Sequence, residues 1–267
     1  MAVPTLQQIW PAFIAVTTYL TIILIAEISR KIVDLFTKKN TKLYIFLIEL
    51  IAVAQQCTCV YENGVIIRHY GPTGFFFAVF GILLVTSRFN RGAFVSPFGP
   101  IEQWYFGSAS IEKLLTVLLA QTIGGYSAFR LANGIWFYSM DFSSDHAHLY
   151  RNLPCAIQYK VPFLYVFLFE IISCFVLRLL VARVPEAYKR FIVPVIFASF
   201  LSFALSNIGI PGLNPVTAAS RLQGCPGLDL QWFIVTYYFT PVIGWLAAAS
   251  LDRRLTLSKG GKGKKKK

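Results

Sequence analysis

Long apolar stretches constrain this chain more than any other feature. The hydrocarbon core of a bilayer is about 30 Å thick, so a crossing helix needs about 20 mostly apolar residues. Only 14% of the residues are charged, against about 25% in soluble domains, which argues against a water-soluble enzyme. The stretches lack the alternation of barrel strands. An all-α membrane protein is therefore predicted, with crossings at 10–28, 43–61, 74–88, 111–133, 161–182, 190–208 and 232–251.

The positive charges predict an orientation. The net charge is +13, and if residues 29–42 face the cytosol, 20 of the 25 Lys and Arg residues lie on that side. Cytosolic loops of membrane proteins carry such an excess, so the charge needs no nucleic-acid partner. Seven crossings then place the N-terminus outside the cytosol and the C-terminus inside it. A first helix that lies in the membrane interface is the alternative to a first crossing.

An internal repeat organises the chain. Glu49 and Glu170 each stand within an apolar stretch, 121 residues apart, where an ionisable side chain is costly and usually functional or paired. Pro97 and Pro215 interrupt weakly apolar segments 118 residues apart. The resulting division is 1–42 (apolar helix and basic cytosolic linker), 43–133 (first repeat), 134–160 (connecting loop outside the cytosol), 161–251 (second repeat) and 252–267 (Lys-rich cytosolic tail).

The two repeats must be inverted relative to each other, because each has three crossings. Interrupted segments at matching places of inverted halves indicate a substrate site near the bilayer midplane. Pro97 or Pro215 suits the first turn of a half-helix, and Ser96 or Asn214 suits its N-cap. Two half-helix N-termini would then place positive dipole ends at the midplane, a field that repels cations and protons while neutral solutes pass.

These residues resemble the aquaporin (major intrinsic protein) family over about 43–251. The segments Ser96-Pro97-Phe98 and Asn214-Pro215-Val216 look like its two Asn-Pro-Ala boxes. Glu49 and Glu170 match the glutamates that brace the box loops in that family. The resemblance implies an aquaporin-like fold with an extra N-terminal apolar helix, a homotetramer and no cofactor. Further similar positions are Ala120-Gln121 and Pro241-Val242-Ile243-Gly244.

A second resemblance narrows the family. Residues 48–62 (IELIAVAQQCTCVYE) are similar to the divergent intracellular subfamily, the superaquaporins or unorthodox aquaporins. That subfamily is known for altered first boxes and residence in the endoplasmic reticulum. It also tends to carry extra apolar sequence before the first glutamate, as residues 10–28 do here.

The resemblance also implies a selectivity filter. Water-selective members place an arginine directly after the second box, where this chain has Thr217, and Arg221 follows one helical turn later. Counting from the boxes assigns the other filter positions to Phe76, Ser202 and Pro211. A filter of this composition would be less cationic and wider than a strict water filter. Glycerol and hydrogen peroxide therefore join water as expected solutes.

The cysteines predict one cross-link. Cys155 and Cys225 both fall in loops outside the cytosol, where a secretory lumen permits disulfides, although two separate thiols are the alternative. Cys174 lies within a crossing and is expected to pack in the core. No metal site is expected, since Cys57 and Cys59 do not share a helix face. A polar loop carries the remaining candidate ligands and is expected to be solvated: Asp141, Asp145, His146 and His148.

The last nine residues contain six lysines. Lys264 and Lys265 stand fourth and third from the end, which matches the dilysine pattern for retrieval to the endoplasmic reticulum by coat machinery. Such a signal is an address read by a receptor. The alternative is a basic flank that sets orientation and touches anionic lipid.

The sequence therefore predicts a passive channel for water or other small uncharged solutes. A rival interpretation is a membrane scaffold that keeps this fold without conducting, suggested by Ser96 and the bulky Phe98 in the first box. An enzyme is a weaker third hypothesis. The three histidines (His69, His146 and His148) are expected in loops, and no paired carboxylates or nucleophile motif accompany them.

Overall fold

The computed structural model describes residues 6–210 and 212–263, with side chains described for 8–210 and 212–256. Six helices of this part are long and apolar enough to cross a membrane, which confirms the predicted all-α membrane class. The last crossing continues from Leu230–Ile234 through a π-helical segment, Val235–Phe239, into Thr240–Gly263. The helices are α1 (Leu6–Phe36), α2 (Lys42–Phe89), α3 (Phe98–Tyr105), α4 (Ile111–Ser139), α5 (Ser144–Arg151), α6 (Phe163–Arg183), α7 (Glu186–Asn207), α8 (Pro215–Leu222), α9 (Leu230–Ile234) and α10 (Thr240–Gly263).

Helix α2 contains two of the predicted crossings. Its 48 residues would measure about 72 Å as one straight helix, far more than one bilayer. Gly71 breaks it with φ 60° and ψ −156°, a left-handed φ that glycine adopts readily. In a straight helix, residues 66 and 74 would be about 12 Å apart along the axis. Here they are in contact, because a Cβ built on Gly74 would lie only 3.2 Å from Cγ2 of Ile66. The chain therefore doubles back at Gly71, and the six long helices supply seven crossings.

Helix α1, the extra apolar helix, packs antiparallel to the first arm of α2. As residue numbers rise along α1, their partners fall along α2. This pairing along the whole length places α1 beside a crossing helix rather than in the interface. The contacts are the Ala12 N–H donating to the Tyr70 hydroxyl (3.1 Å), the Tyr19 hydroxyl donating to Asn63 Oδ1 (2.7 Å), and Arg30 donating to Gln55 Oε1.

The same close contact between two helices occurs once in each repeat. A Cβ on Gly124 of α4 would lie 2.7 Å from the Leu50 carbonyl oxygen, and a Cβ on Gly244 of α10 would lie 2.2 Å from the Ile171 carbonyl oxygen. Leu50 and Ile171 each directly follow the glutamate of their repeat. Only glycine lets the helices approach this closely, so both halves bring their glutamate-bearing helix against its partner in the same way.

Candidate pore

The first buried glutamate braces the loop that carries the first box. Glu49 is 2% exposed, and its carboxylate accepts hydrogen bonds from the backbone N–H of Phe94 (2.9 Å) and of Val95 (2.8 Å). Gln121 of α4 donates a third bond from Nε2 at 2.8 Å. A charged acceptor makes such bonds stronger than neutral ones, so Glu49 satisfies backbone donors that would otherwise be orphaned within the membrane.

Glu170 holds the second box loop in the same way. It is fully buried and accepts from the backbone N–H of Gly212 (3.1 Å) and of Leu213 (2.8 Å). Both loops also contain a left-handed residue that is not glycine, Val95 at φ 59° and Leu213 at φ 52°. Such residues are uncommon. Their separation of 118 residues repeats that of the box prolines, so the two loops share one conformation.

The polar residue of each box accepts a hydrogen bond from its half-helix, but only Asn214 is an N-cap, so the prediction of Ser96 as N-cap with Pro97 in the first turn is wrong. Asn214 is the N-cap of α8, and its Oδ1 accepts from the Val216 N–H at 3.1 Å, with Pro215 in the first turn. Helix α3 begins one residue later in its box, because Pro97 occupies the cap position. The Ser96 hydroxyl nevertheless accepts from the Phe98 N–H at 3.2 Å, so the serine still satisfies one of the first donors of α3.

The boxes meet through Asn214. Its Nδ2 donates to the Val95 carbonyl at 3.1 Å, which ties the start of α8 to the loop before α3. A side-chain amide has two N–H donors, and this contact occupies one of them. The geometry brings both half-helix N-termini together, and their dipoles make the junction electropositive.

A cavity of about 570 Å³ passes this junction. It extends from Asn90 and Arg190, on the predicted cytosolic side, to Ile67 and Arg221 on the other. Not every box residue reaches it, since Pro97, Pro215 and Val216 are not among its lining residues. The box residues that line it, together with the following threonine, are Ser96, Phe98, Asn214 and Thr217.

Two of the assigned filter positions do not line this cavity, although the residue before each of them does. Phe76 and Ser202 do not line the cavity, whereas Phe75 and Leu201 do. Phe76 instead stacks on Phe80, with ring centroids 6.4 Å apart. One residue turns the side chain by about 100° around a helix, so a counting error of one moves the assignment off the pore. Pro211, the fourth assigned position, lies outside the described residues.

Arg221 supplies a cation that the sequence interpretation had placed outside the filter. It lines the same cavity as Thr217, one turn further along α8. Its Nη2 donates to the Pro154 carbonyl at 2.7 Å, and its guanidinium lies 5.5 Å from the centroid of the Tyr61 ring. Arg221 therefore brings a positive charge to the cavity, one helical turn beyond Thr217.

The phenylalanine of the first box has a packing role. Phe98 is buried and stacks on Trp245 of α10, with ring centroids 4.7 Å apart and an interplanar angle of 10°. Trp245 Nε1 donates to Glu102 at 2.7 Å, and Arg178 makes a two-pronged ion pair with the same carboxylate at 2.7 and 2.8 Å. Sequence reasoning missed Glu102, although a charged Arg178 at the end of an apolar stretch was a signal for a partner.

Helix α1 also holds the loop before the first box. Arg91, at φ 48°, donates to Glu27 at 2.8 Å and to Asp34 at 2.7 Å, both on α1. The hydrogen bond to Glu27 raises the pKa of Arg91 above its usual value, so the guanidinium stays charged. The extra helix is therefore joined to the loop that carries Phe94 and Val95.

The loop between the repeats is less solvated than its composition suggests. His146 is fully buried in α5, with its Nε2 3.0 Å from the Glu62 carboxylate and its Nδ1 2.7 Å from the Ser139 hydroxyl. Asp145 is also buried and lies 2.8 Å from Nε2 of His69, which belongs to α2. The expectation of a solvated loop is wrong for Asp145 and His146, because partners distant in the chain reach them only when the helices pack. It is confirmed for Asp141 and His148, which are exposed.

The structure joins Cys155 to Cys225 as a disulfide, with Cα atoms 5.1 Å apart. This bond lies beside Arg221, since Cys155 follows Pro154 and Cys225 is four residues beyond the arginine. Cys57, Cys59 and Cys174 are free and buried. The retrieval-signal residues Lys264 and Lys265 lie outside the described residues.

Comparisons with known proteins agree with this architecture. The chain is 38% identical over 246 residues to putative aquaporin-10 of Caenorhabditis elegans, covering 91% of this chain and 87% of that protein. It is 26% identical over 243 residues to aquaporin-11 of Milnesium tardigradum (90% and 86% covered) and 23% identical over 214 residues to aquaporin-12 of Mus musculus (76% and 72% covered).

A solved structure shares the fold. The aquaglyceroporin from Plasmodium falciparum aligns with a TM-score of 0.55 and 14% sequence identity, over 79% of this chain and 95% of that one. No protein-family model matches the chain. The identity to putative aquaporin-10 across most of both chains, together with the shared fold, shows that the chain belongs to the aquaporin family of membrane channels.

Proposed function

We propose that the protein is a passive pore for water and other small uncharged solutes. The observation that carries the proposal is the cavity at the junction of α3 and α8, where Ser96 and Asn214 stand at two opposed half-helix N-termini. Asn214 retains a second N–H that can donate to a passing oxygen atom. The electropositive junction disfavours cations and protons, so neutral solutes are the expected cargo.

The filter composition supports solutes beyond water. Thr217 takes the position directly after the second box, and its hydroxyl donates to the Asn214 carbonyl at 3.1 Å. Arg221 lies one turn away and is held by the Pro154 carbonyl. Separating the bulky cation from the box residues leaves room for a solute of the size of glycerol or hydrogen peroxide beside Thr217.

Proteoliposome flux tests the proposal. We expect vesicles containing the purified chain to swell faster than empty vesicles under an osmotic gradient, and to take up peroxide or glycerol faster. The rival interpretation is the non-conducting scaffold, which the packing of Phe98 against Trp245 favours. Flux equal to that of empty vesicles for water, glycerol and peroxide alike would support the scaffold and reject the pore.

We further propose that the protein resides in the endoplasmic reticulum, as a member of the intracellular superaquaporin subfamily with a cytosolic C-terminus. The support is the C-terminal Lys264 and Lys265. Extending the chain by a few residues beyond Lys267 should release the protein from the reticulum, because a terminal signal would then be masked. Microscopy that shows an unchanged reticular distribution would reject retrieval through these lysines.

The disulfide is expected to form in the oxidising lumen. Non-reducing mass spectrometry of the membrane-extracted protein should find Cys155 linked to Cys225, a bond that closes a loop of 70 residues. Linking residues this far apart in sequence stabilises a fold by about 2–5 kcal/mol, so Cys155→Ser should also lower the melting temperature in detergent. Alkylation of both cysteines in unreduced protein would contradict the bond. Cys174→Ser serves as the control for removal of a thiol.

A further inference from the structure

A second cavity lies on the opposite face of α8 from the pore. Different residues of α8 line the two spaces. Thr217 and Arg221 line the pore cavity, whereas Val216 and Ser220 line this groove. The groove has a volume of about 1380 Å³ and is bounded by α4 and by the segment from 223 to 238. It is therefore separate from the path proposed for solutes.

Arg130 is the cation of this groove. It belongs to α4 and is exposed, nine residues before the helix ends at Ser139, which places it about 13 Å along the axis from that end. Its guanidinium lies 4.8 Å from the centroid of the Tyr126 ring. No carboxylate of the described residues forms an ion pair with it. Arg130 stands three residues before the end of the predicted crossing 111–133, and long arginine side chains near the ends of crossing helices reach the interface, where lipid phosphates lie.

The groove also contains an anion and an apolar wall. Asp229, at the N-cap of α9, is exposed, and its carboxylate has no hydrogen-bond or ion-pair partner among the described side chains. The apolar part of the lining includes Phe129, Val216 and Phe233. One cation, one anion and an apolar wall match the parts of one class of molecule, a zwitterionic glycerophospholipid.

We propose that this groove binds a zwitterionic glycerophospholipid. The lipid phosphate contacts Arg130, whose planar fork of donors suits phosphate oxygens. The headgroup ammonium contacts Asp229, and an acyl chain lies along Phe129 and Val216. The occupant is a lipid rather than a soluble phosphate ester, because Tyr126 and Phe129 of the groove are exposed on α4, a helix long and apolar enough to cross a membrane.

Native mass spectrometry of the full chain in mild detergent tests the proposal, with phosphatidylethanolamine and phosphatidylglycerol of identical acyl chains as probes. We expect one phosphatidylethanolamine to be retained per chain. Arg130→Gln should reduce that retention by up to about fivefold, as expected for loss of one exposed charged contact. Asp229→Asn should remove the preference for phosphatidylethanolamine over phosphatidylglycerol, because only the former has an ammonium group. Arg151→Gln, an exposed arginine of α5 outside the groove, is the matched control.

Two results would overturn the proposal. If the Arg130→Gln and Arg151→Gln variants retain equal amounts of phosphatidylethanolamine, the Arg130 guanidinium does not contact the lipid and is simply solvated. Phosphoethanolamine without acyl chains, if it competes as well as the intact lipid, would show a site for a soluble anion. The melting temperature in detergent verifies the fold of each variant independently of whether the protein conducts, and neither Arg130 nor Asp229 lines the proposed pore.

Discussion

Replacing Glu49 with alanine should abolish the folded pore. The substitution removes the acceptor for the N–H groups of Phe94 and Val95 and for the Gln121 amide. Each buried donor left without a partner costs about 1–3 kcal/mol, and three of them approach the whole stability of many domains, about 5–15 kcal/mol. We expect the variant to aggregate on extraction, or to melt at a much lower temperature, with flux equal to that of empty vesicles.

Three further variants make this prediction specific. Glu170→Ala removes the acceptor for two donors rather than three, so its effect should be smaller than that of Glu49→Ala. Glu49→Gln retains one acceptor oxygen and should be intermediate. Glu186→Ala removes a highly exposed carboxylate that pairs only with Lys189 and should leave melting and flux unchanged. A Glu49→Ala protein with normal melting and flux would show that the first box loop does not depend on the glutamate.

Replacing Thr217 with arginine should close the pore to its larger solutes. Thr217 lines the cavity next to Asn214, and Arg221 already places one guanidinium a turn away. A second guanidinium would narrow the passage and add charge beside the box junction, and both pore diameter and lining groups determine selectivity. We expect glycerol and peroxide flux to fall at least about tenfold, with a smaller loss of water flux.

Two control variants distinguish the effect of an arginine at position 217 from the loss of the Thr217 hydroxyl and from an added charge elsewhere. Thr217→Val has nearly the same size and lacks the hydroxyl, so it should conduct glycerol and peroxide nearly as well as the natural chain. Thr256→Arg adds the same charge in the C-terminal half of α10, far from the box junction, and should leave flux unchanged. Unchanged glycerol and peroxide flux in Thr217→Arg would remove Thr217 from the filter, even if the protein proves to be a channel.

Much of the fold could be predicted because its signals are local. Apolar stretches of crossing length, and glutamates and prolines at nearly equal spacings, indicated two inverted repeats. The structure has the corresponding contacts at Glu49 and Glu170, and the close crossings at Gly124 and Gly244 follow the same repeat. Each of these features depends on residue type and on position within one helix or loop, so the sequence expresses it directly.

The filter shows where such reasoning fails. The prediction of Phe76 and Ser202 was one residue away from the lining positions Phe75 and Leu201. Which face of a helix meets the cavity depends on the rotation of that helix against its neighbours, and packing determines that rotation. Arg221 was likewise recognised as a nearby cation, but only the tertiary structure shows that it lines the cavity and donates to the Pro154 carbonyl.

The sequence by itself determined the membrane class, the seven crossings, the repeat and the half-helix boxes, because hydrophobic length and helix-starting residues act locally. Only the tertiary structure decided which side chains face the pore, that Arg91 joins α1 to the first box loop, and that His146 is buried against Glu62. These outcomes depend on pairs of residues that are distant in the chain. Their partners become neighbours only when the helices pack, and helix packing creates the burial that makes such pairs necessary.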